Sequence, residues 1–233
     1  MFSKIKNIGL GLCCLGIMAC QQPPGSSPLD NVSKDSTPAT DSFSQDSASA
    51  IVVDLDLDTV KSAPTNLAQI RSYYAYTKAK LDSRALDSTV MKYNCQNERQ
   101  GTITYYSHHG KLLLISHQYN EYDHFQASEL FYVFDNAVYF IYQRETNWSF
   151  VSGSASQGET RDEILEKRTY FNGAKPLHCL EKKYTLYSNA KTATNPSEIP
   201  NKSVTCKNID KLLKRFEQIH QFKTSRSGAC LSN

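Results

Sequence analysis

The sequence carries little net charge and none of the short motifs that mark the common enzyme classes. Its 233 residues include 26 basic and 23 acidic side chains, for a formal charge of +3. A nearly neutral chain lacks the basic surface that nucleic-acid-binding proteins use, so we expect no nucleic-acid partner. The GxSxG, HExxH and phosphate-binding-loop patterns are absent. We therefore predict a protein that is not an enzyme, with no catalytic residues and no cofactor.

The apolar run at the start of the chain is too short to span a membrane. It covers the 12 residues Ile8–Ala19 and follows Lys4 and Lys6, whereas a membrane-spanning helix needs about 20 apolar residues. A short basic segment followed by an apolar run of this length is typical of a signal peptide. Residues 1–19 are therefore predicted to be one.

The end of this run resembles the bacterial lipobox, in which a small residue precedes an acylated cysteine. The residues are Ile17-Met18-Ala19-Cys20, with Met18 less usual at its position. The resemblance implies that Cys20 is lipidated, with acyl chains such as palmitate anchoring the protein to a membrane. Gln21 follows instead of Asp, which by analogy favours the outer over the inner membrane of the cell envelope. Simple secretory cleavage is the alternative.

The next segment has the composition of a disordered tether. Residues 21–50 are dominated by Ser, Thr, Pro, Asp and Gln, and such a segment buries too little apolar surface to offset its ordering entropy. Residues 51–60 alternate apolar and acidic side chains and form either an extra edge strand or the end of the tether, which we favour. We expect a tether over 20–61, a folded domain over 62–223 and a flexible tail over 224–233.

Helical spacing appears at both ends of the folded part. Thr65-Asn66 can cap a first helix, and Asn208 a second. The apolar positions of the first are Leu67, Ile70, Tyr74, Thr77 and Leu81. Those of the second are Ile209, Leu212, Leu213, Phe216 and Ile219. We expect both helices to pack on a sheet, with a membrane-surface helix as the alternative for the second.

Between the helices, three modules repeat the pattern of aromatic strand, polar turn and second strand. They are residues 102–119, 128–145 and 166–187. Their turns are predicted at His109-Gly110, Asp135-Asn136 and Asn172-Gly173. A glutamate precedes a phenylalanine by the same spacing in two modules, at Glu129–Phe134 and Glu166–Phe171. Short turns join antiparallel neighbours, so the fold class is α+β, with an antiparallel meander of about six strands.

The motifs of these modules resemble a group of small bacterial lipoproteins of unknown function. The matching segments are Gly101–Tyr106, Tyr132–Tyr142 and Glu166–Gly173, and the resemblance covers roughly residues 90–187. Because these motifs are turn and core residues, the resemblance implies a fold and transfers no activity.

Four cysteines remain in the predicted domain: Cys95, Cys179, Cys206 and Cys230. In an exported protein they are expected to form two disulfides, and three pairings are possible. We favour Cys95–Cys179 with Cys206–Cys230, because a curled meander brings its first and last strands together. The main alternative is Cys179–Cys206 with Cys95–Cys230. No CxxC spacing supports zinc.

Four of the six histidines are clustered in the sequence, at His108, His109, His117 and His124. The strand from His109 to His117 spans about 26 Å, and His124 falls in the next turn, so they cannot share a metal. We expect exposed histidines and no metal site. Asp162, Glu163 and Glu166 are likewise expected at the solvated surface, with Glu166 and Arg168 forming a weak same-face pair.

The aromatic residues of the meander have two interpretations. Core packing is favoured, because aromatic residues are good strand formers. The alternative is a binding face that includes Tyr106, Tyr132, Phe134 and Tyr170. Alternation sends Tyr132 and Phe134 to one face of the sheet and Phe131 and Val133 to the other, so both faces are apolar. One helix covers only one face of a sheet, and the apolar second face is the best argument for a binding surface.

The function that follows is a membrane-anchored, non-enzymatic envelope module that binds a protein, a peptide or a glycan. An inhibitor or immunity-type protein is the alternative, with loop 151–163 as the inserting element. An envelope hydrolase is a further, weaker alternative.

Overall fold

The computed structural model describes residues 59–152, 158–190, 194–225 and 229–231. The predicted signal peptide, Cys20 and the tether up to residue 58 lie outside the described residues. The same holds for residues 51–58 of the strand considered for residues 51–60. Among the residues described, no helix is both long and apolar enough to cross a membrane.

The described residues form two α-helices and eight strands. In chain order they are α1 (Leu67–Asp82), β1 (Asp87–Cys95), β2 (Arg99–His108), β3 (Lys111–Glu121), β4 (Phe125–Phe134), β5 (Ala137–Phe150), β6 (Thr160–Asn172), β7 (Lys175–Tyr187), β8 (Lys202–Ser203) and α2 (Ile209–Phe222). A 3₁₀ turn at Pro196–Glu198 precedes β8.

The strands form one antiparallel meander in strict chain order. The three predicted modules are the hairpins β2–β3, β4–β5 and β6–β7, which confirms their strand character. The strand count of six is corrected to eight, because β1 and β8 flank the modules. Most side chains of β1 are exposed, so this edge strand shows no apolar alternation. The two residues of β8 are too few to give a pattern.

Two of the three predicted turns are in place, and the third is displaced by one residue. His109-Gly110 has φ of 49° and 78°, and Asp135-Asn136 has 49° and 62°. Paired positive φ angles are what a two-residue hairpin of matching twist requires. In the third hairpin Asn172 still pairs with Lys175, so the turn is Gly173-Ala174.

Each hairpin carries one extra residue at the same point of its second strand. The register skips Leu113 in β3, Tyr139 in β5 and Leu177 in β7, the third residue of each strand. Such a bulge adds one residue opposite a single partner and bends the strand. The three hairpins are therefore structurally equivalent units.

A helix covers part of each face of the sheet, which we call the α1 face and the α2 face. On the α1 face, Ile70 and Tyr74 pack against Tyr132 and Phe140. On the α2 face, Phe216 and Ile219 join a core with Phe131. The predicted packing of both helices on the sheet is thus confirmed. Alternation along β4 does send Tyr132 and Phe131 to opposite faces.

The helix starts differ from each other. The Asn66 side chain accepts a hydrogen bond from the Gln69 amide and caps α1, as predicted. Asn208 precedes α2 with φ of 55°, and its side chain makes no capping bond. The second helix therefore starts at the predicted residue without the predicted contact.

The disulfides join Cys179 to Cys206 and Cys95 to Cys230. The favoured pairing was therefore wrong and its alternative is observed. In a sheet of strict chain order β1 and β7 are six strand spacings apart, or about 29 Å, so Cys95 cannot reach Cys179. The chain instead returns along β7 as β8, which brings Cys206 beside Cys179.

The C-terminal residues are held against the domain where the structure describes them. Cys230 is disulfide-bonded to the end of β1, and Leu231 is buried in the α2-face core. The expectation of a flexible tail over 224–233 is corrected for residues 229–231, because the bridge to Cys95 fixes Cys230 and the neighbouring Leu231 is buried in that core.

Candidate functional site

The aromatic residues considered as a binding face lie together on the α1 face. Tyr132 and Tyr170 are buried, and Tyr106 and Phe134 are half-buried against the same core. Their rings meet those of α1 and β5, with Tyr74 and Tyr132 centroids 5.1 Å apart and Phe140 and Tyr170 centroids 4.8 Å apart. In this conformation their surface is occupied by helix α1.

A polar network is buried between the sheet and α2, around His117. The ring Nε2 of His117 lies 2.8 Å from the Tyr93 hydroxyl, and its Nδ1 lies 2.8 Å from Glu129 Oε2. Gln143 Nε2 donates to the other oxygen of Glu129 at 3.1 Å. From α2, Arg215 Nε donates to Glu129 Oε2 at 3.3 Å.

The environment of the His117–Glu129 pair sets its charge. Burial disfavours the charged imidazole and lowers the pKa of His117, although Glu129 opposes this shift. Burial pushes the pKa of Glu129 upward, but the hydrogen bond from His117 and the positive charge of Arg215 outweigh it and hold that pKa below its usual value. The pair is therefore a neutral imidazole beside a carboxylate.

The expectation of exposed histidines is wrong for His117, which has no exposed surface, and holds for His109 and His124. His108 is half-buried. A signal was present in the sequence: His117 alternates with Ile115 and so belongs to the buried row of β3. In the part of the chain that the structure describes, no group of three or more His, Cys, Asp or Glu side chains is placed to hold a metal ion.

A second polar group, which we call the cation cluster, lies on the α1 face. It consists of Tyr142, Arg144, Glu166, Arg168, Lys182 and Tyr184. Arg168 Nη2 contacts Glu166 Oε2 at 3.0 Å, and Lys182 Nζ lies 3.9 Å from the same oxygen. The Tyr184 hydroxyl donates to Glu166 Oε1 at 2.7 Å. Burial raises the pKa of Tyr184 to about 12, so the phenol keeps its proton.

Glu166 is therefore not the solvated surface residue that we expected. It is 4% exposed and Arg168 is 3% exposed, because their β6 positions face inward beside the core. The expected same-face pair is present, but it is buried. Asp162 is half-buried and Glu163 is exposed.

The segment before β8 covers the cation cluster. Lys182 Nζ donates to the Pro196 carbonyl at 3.0 Å, and Arg168 Nη1 donates to Asn201 Oδ1 at 2.8 Å. The Cys179–Cys206 bridge then fixes the end of this segment to β7. Residues 194–206 thus act as a strap, held at both of its ends.

The largest exposed aromatic side chains lie at the sheet end opposite the three two-residue turns. We call Tyr122, His124, Trp148 and Phe150 the aromatic patch. Tyr122 is 70% exposed and Phe150 49%. The Trp148 ring is 4.1 Å from that of His124 and 5.6 Å from that of Phe150, and its indole N–H donates to the Asp123 carbonyl. Sequence reasoning missed this site, because the binding face that it considered consisted of Tyr106, Tyr132, Phe134 and Tyr170.

One further recess lies between α2 and two of the hairpin turns. It has a volume of about 280 Å³ and is lined by apolar residues such as Val138 and Phe216, with Glu217 and His220 from the helix. It is open to solvent along one side of α2, and we assign no ligand to it.

Comparison of the chain with protein-family models, with curated proteins and with solved structures finds no match.

Proposed function

We propose that this protein is a membrane-tethered envelope module that binds a glycan through the aromatic patch. The observation that carries the proposal is the exposure of Tyr122 and Phe150 beside the half-buried Trp148, in a domain whose other large aromatic side chains mostly fill the two cores. A contiguous group of exposed large apolar side chains commonly marks an interaction surface, whereas single exposed apolar residues are ordinary.

The chemistry around the patch favours a sugar over an apolar protein surface. Tryptophan and tyrosine offer an apolar ring face with a polar edge, which suits the alternating C–H face and hydroxyl rim of a pyranose. On the same sheet face, β4 presents the neutral polar side chains of Gln126 and Ser128, which can both donate and accept hydrogen bonds. A ligand of this kind stacks on the rings and hydrogen-bonds to the sheet.

The chain contains a single tryptophan, so intrinsic fluorescence reports on the patch directly. We expect a saturable change in Trp148 emission when the mature chain in detergent is titrated with chitohexaose. Tyr122→Ala should weaken this binding severalfold. Leu177→Ala is the matched control, since Leu177 is 41% exposed at the opposite end of the sheet. Unchanged emission at millimolar sugar, or equal effects of the two variants, would contradict the proposal.

The tether and its anchor belong to the same proposal. A lipidated Cys20 would hold the domain at the cell envelope, with the outer membrane favoured, as in the small lipoproteins that the sequence resembles. Metabolic labelling with a fatty-acid analogue tests this. The wild-type chain should take up label and fractionate with membranes, and Cys20→Ser should do neither; label retained on Cys20→Ser would disprove the anchor.

The alternatives have less support. In the inhibitor alternative, loop 151–163 would insert into an enzyme. Residues 160–163 of this loop belong to β6, and residues 153–157 lie outside the described part of the chain. A hydrolase would need the His117–Glu129 pair to reach a substrate, but His117 has no exposed surface. Binding at the aromatic patch therefore remains the proposal that an observation favours.

A further inference from the structure

The aromatic patch borders a carboxylate on the neighbouring strand, that of Asp162 in β6. Trp148 and Phe150 lie on the α1 face of β5, because the β5–β6 register runs without a break from Phe140 of the α1-face core to Phe150. Asp162 lies directly opposite Trp148 in that register. Opposite residues of antiparallel strands share a face, with Cβ atoms about 5 Å apart. Asp162 is therefore the β6 neighbour of the Trp148 side chain.

His124 borders Trp148 from the other side. The Trp148 backbone N–H donates to the His124 carbonyl at 3.0 Å, and the two rings are 4.1 Å apart. The Nδ1 atom of His124 lies 3.1 Å from the Trp148 carbonyl oxygen, so this nitrogen carries a proton and donates it. In the neutral ring the second nitrogen, Nε2, is then an acceptor. His124, Trp148 and Asp162 thus form a row across the sheet.

The polar groups at the two ends of this row accept hydrogen bonds. An ionised carboxylate such as that of Asp162 has acceptors only, and His124 offers Nε2 as an acceptor. The indole N–H of Trp148 is a donor, but it is already bonded to the Asp123 carbonyl. The row therefore suits a ligand group that is rich in donors.

The Asp162 carboxylate has no ionic partner in the part of the chain that the structure describes. Asp162 is half-buried, and its carboxylate forms neither a hydrogen bond nor an ion pair with those residues. The neighbouring cation, Arg161, belongs to the opposite face of the sheet, where it contacts Glu163 Oε1 at 3.6 Å and Ser149 Oγ at 3.2 Å. A partly desolvated charge is costly without a partner, so a cationic group on the ligand would be favoured here.

We propose that the aromatic patch binds a glycan whose sugar units carry free amino groups, with one ammonium group held between Asp162 and Trp148. The inference rests on the proposed function, because it names the class of glycan that the patch takes. An ammonium has three donors and no acceptor, pairs with a carboxylate and is attracted to the face of an indole ring. An N-acetylated sugar lacks this charge.

Two hexasaccharides that differ only at the sugar nitrogen test the inference. Glucosamine hexamer carries free amines, whereas chitohexaose carries N-acetyl groups. Each is titrated into the mature chain in detergent at neutral pH and constant ionic strength, with Trp148 emission as the readout. We expect the glucosamine hexamer to bind about three- to tenfold more tightly, as for a partly exposed, charge-assisted hydrogen bond.

Two variants assign this preference to Asp162. Asp162→Asn keeps the shape of the side chain and removes its charge, so it should abolish the preference and leave the affinity for chitohexaose nearly unchanged. Glu163→Gln is the matched control, because it removes the same charge from an exposed position on the other face of β6, and it should keep the preference. An equal loss of preference in the two variants would indicate general charge attraction and overturn the inference.

The outcomes separate this inference from the proposed function. Chitohexaose binding without any preference for the free amine would leave the proposed function intact and refute the amino-glycan inference. Binding of neither sugar would refute both. Hexalysine presents ammonium groups without sugar rings. If it bound as tightly as the glucosamine hexamer, a basic peptide would be the better ligand and the amino-glycan inference would be wrong.

Discussion

Substitution of Glu129 by glutamine should destabilise the domain more than any other single change of charge in the α2-face core. Glutamine keeps the shape of the side chain but removes the charge that His117 and Arg215 contact. The carboxylate is 6% exposed and the Arg215 side chain 13%. Breaking such a buried pair from one side costs about 3–5 kcal/mol, since the other charge is left uncompensated. That is a large fraction of the 5–15 kcal/mol typical of a whole domain.

The assay is urea unfolding of the mature chain, with the free energy of unfolding taken from the midpoint and slope. Glu145→Gln is the matched control, because Glu145 pairs with Lys167 at 2.9 Å with both side chains about one-third exposed. Exposed pairs of this kind contribute less than about 1 kcal/mol. A loss for Glu129→Gln no greater than that for Glu145→Gln would refute the idea that the network holds α2 on the sheet.

The same network makes stability depend on pH in a defined direction. The pKa of His117 is lowered in the fold, so the unfolded chain takes up a proton first as pH falls below about 6.5. The pKa of Glu129 is also lowered, so its contribution is present above the unfolded value near 4.3 and is lost below it. Both groups therefore reduce stability as pH falls, His117 first.

Three further predictions use the same unfolding measurement. His117→Gln should flatten the loss of stability between pH 7 and pH 5, whereas a slope equal to that of the wild type would assign it to other groups. The double change Cys179→Ser with Cys206→Ser opens a loop of 27 residues and should lower the free energy of unfolding by about 3–4 kcal/mol. An unchanged free energy of unfolding would show that the bridge does not form. Gly101→Ala should cost about 1–3 kcal/mol, because its added methyl would lie 2.7 Å from the Gln118 carbonyl; a neutral effect would show that the strands can separate.

Local features of the fold were predictable because they follow from short-range chemistry. The residues His109-Gly110 and Asp135-Asn136 are of types that adopt positive φ angles readily. Each pair accordingly forms a two-residue turn. The two helices were predictable from the spacing of apolar residues along one side of each helix, which is a local property of the sequence. The disulfide pairing was not predictable from the sequence, since it depends on the order in which the strands lie side by side. A sheet that stays open keeps its first and seventh strands apart, and the sequence contains no local sign of this.

The buried polar networks were missed for a related reason. A histidine or glutamate in a strand has the same local pattern whether its partners are water molecules or side chains from distant elements. His117 is satisfied by Tyr93 from β1 and Glu129 from β4, and neither partner is close to it in sequence. Alternation alone could place His117 in the inward row, but it could not supply the partners that make burial tolerable.

The two glutamates of the repeated modules show that a shift of one residue in strand register decides which face of the sheet a side chain occupies. Equal spacing to phenylalanine aligns Glu129 with Glu166, and Asn-Gly chemistry places the third turn at Asn172-Gly173. The bulges give a different alignment, in which Tyr132 and Tyr170 are equivalent and the third turn falls at Gly173-Ala174. A slip of one residue moves a side chain to the opposite face of a sheet. Glu129 accordingly joins the network under α2, whereas Glu166 joins the cation cluster on the α1 face.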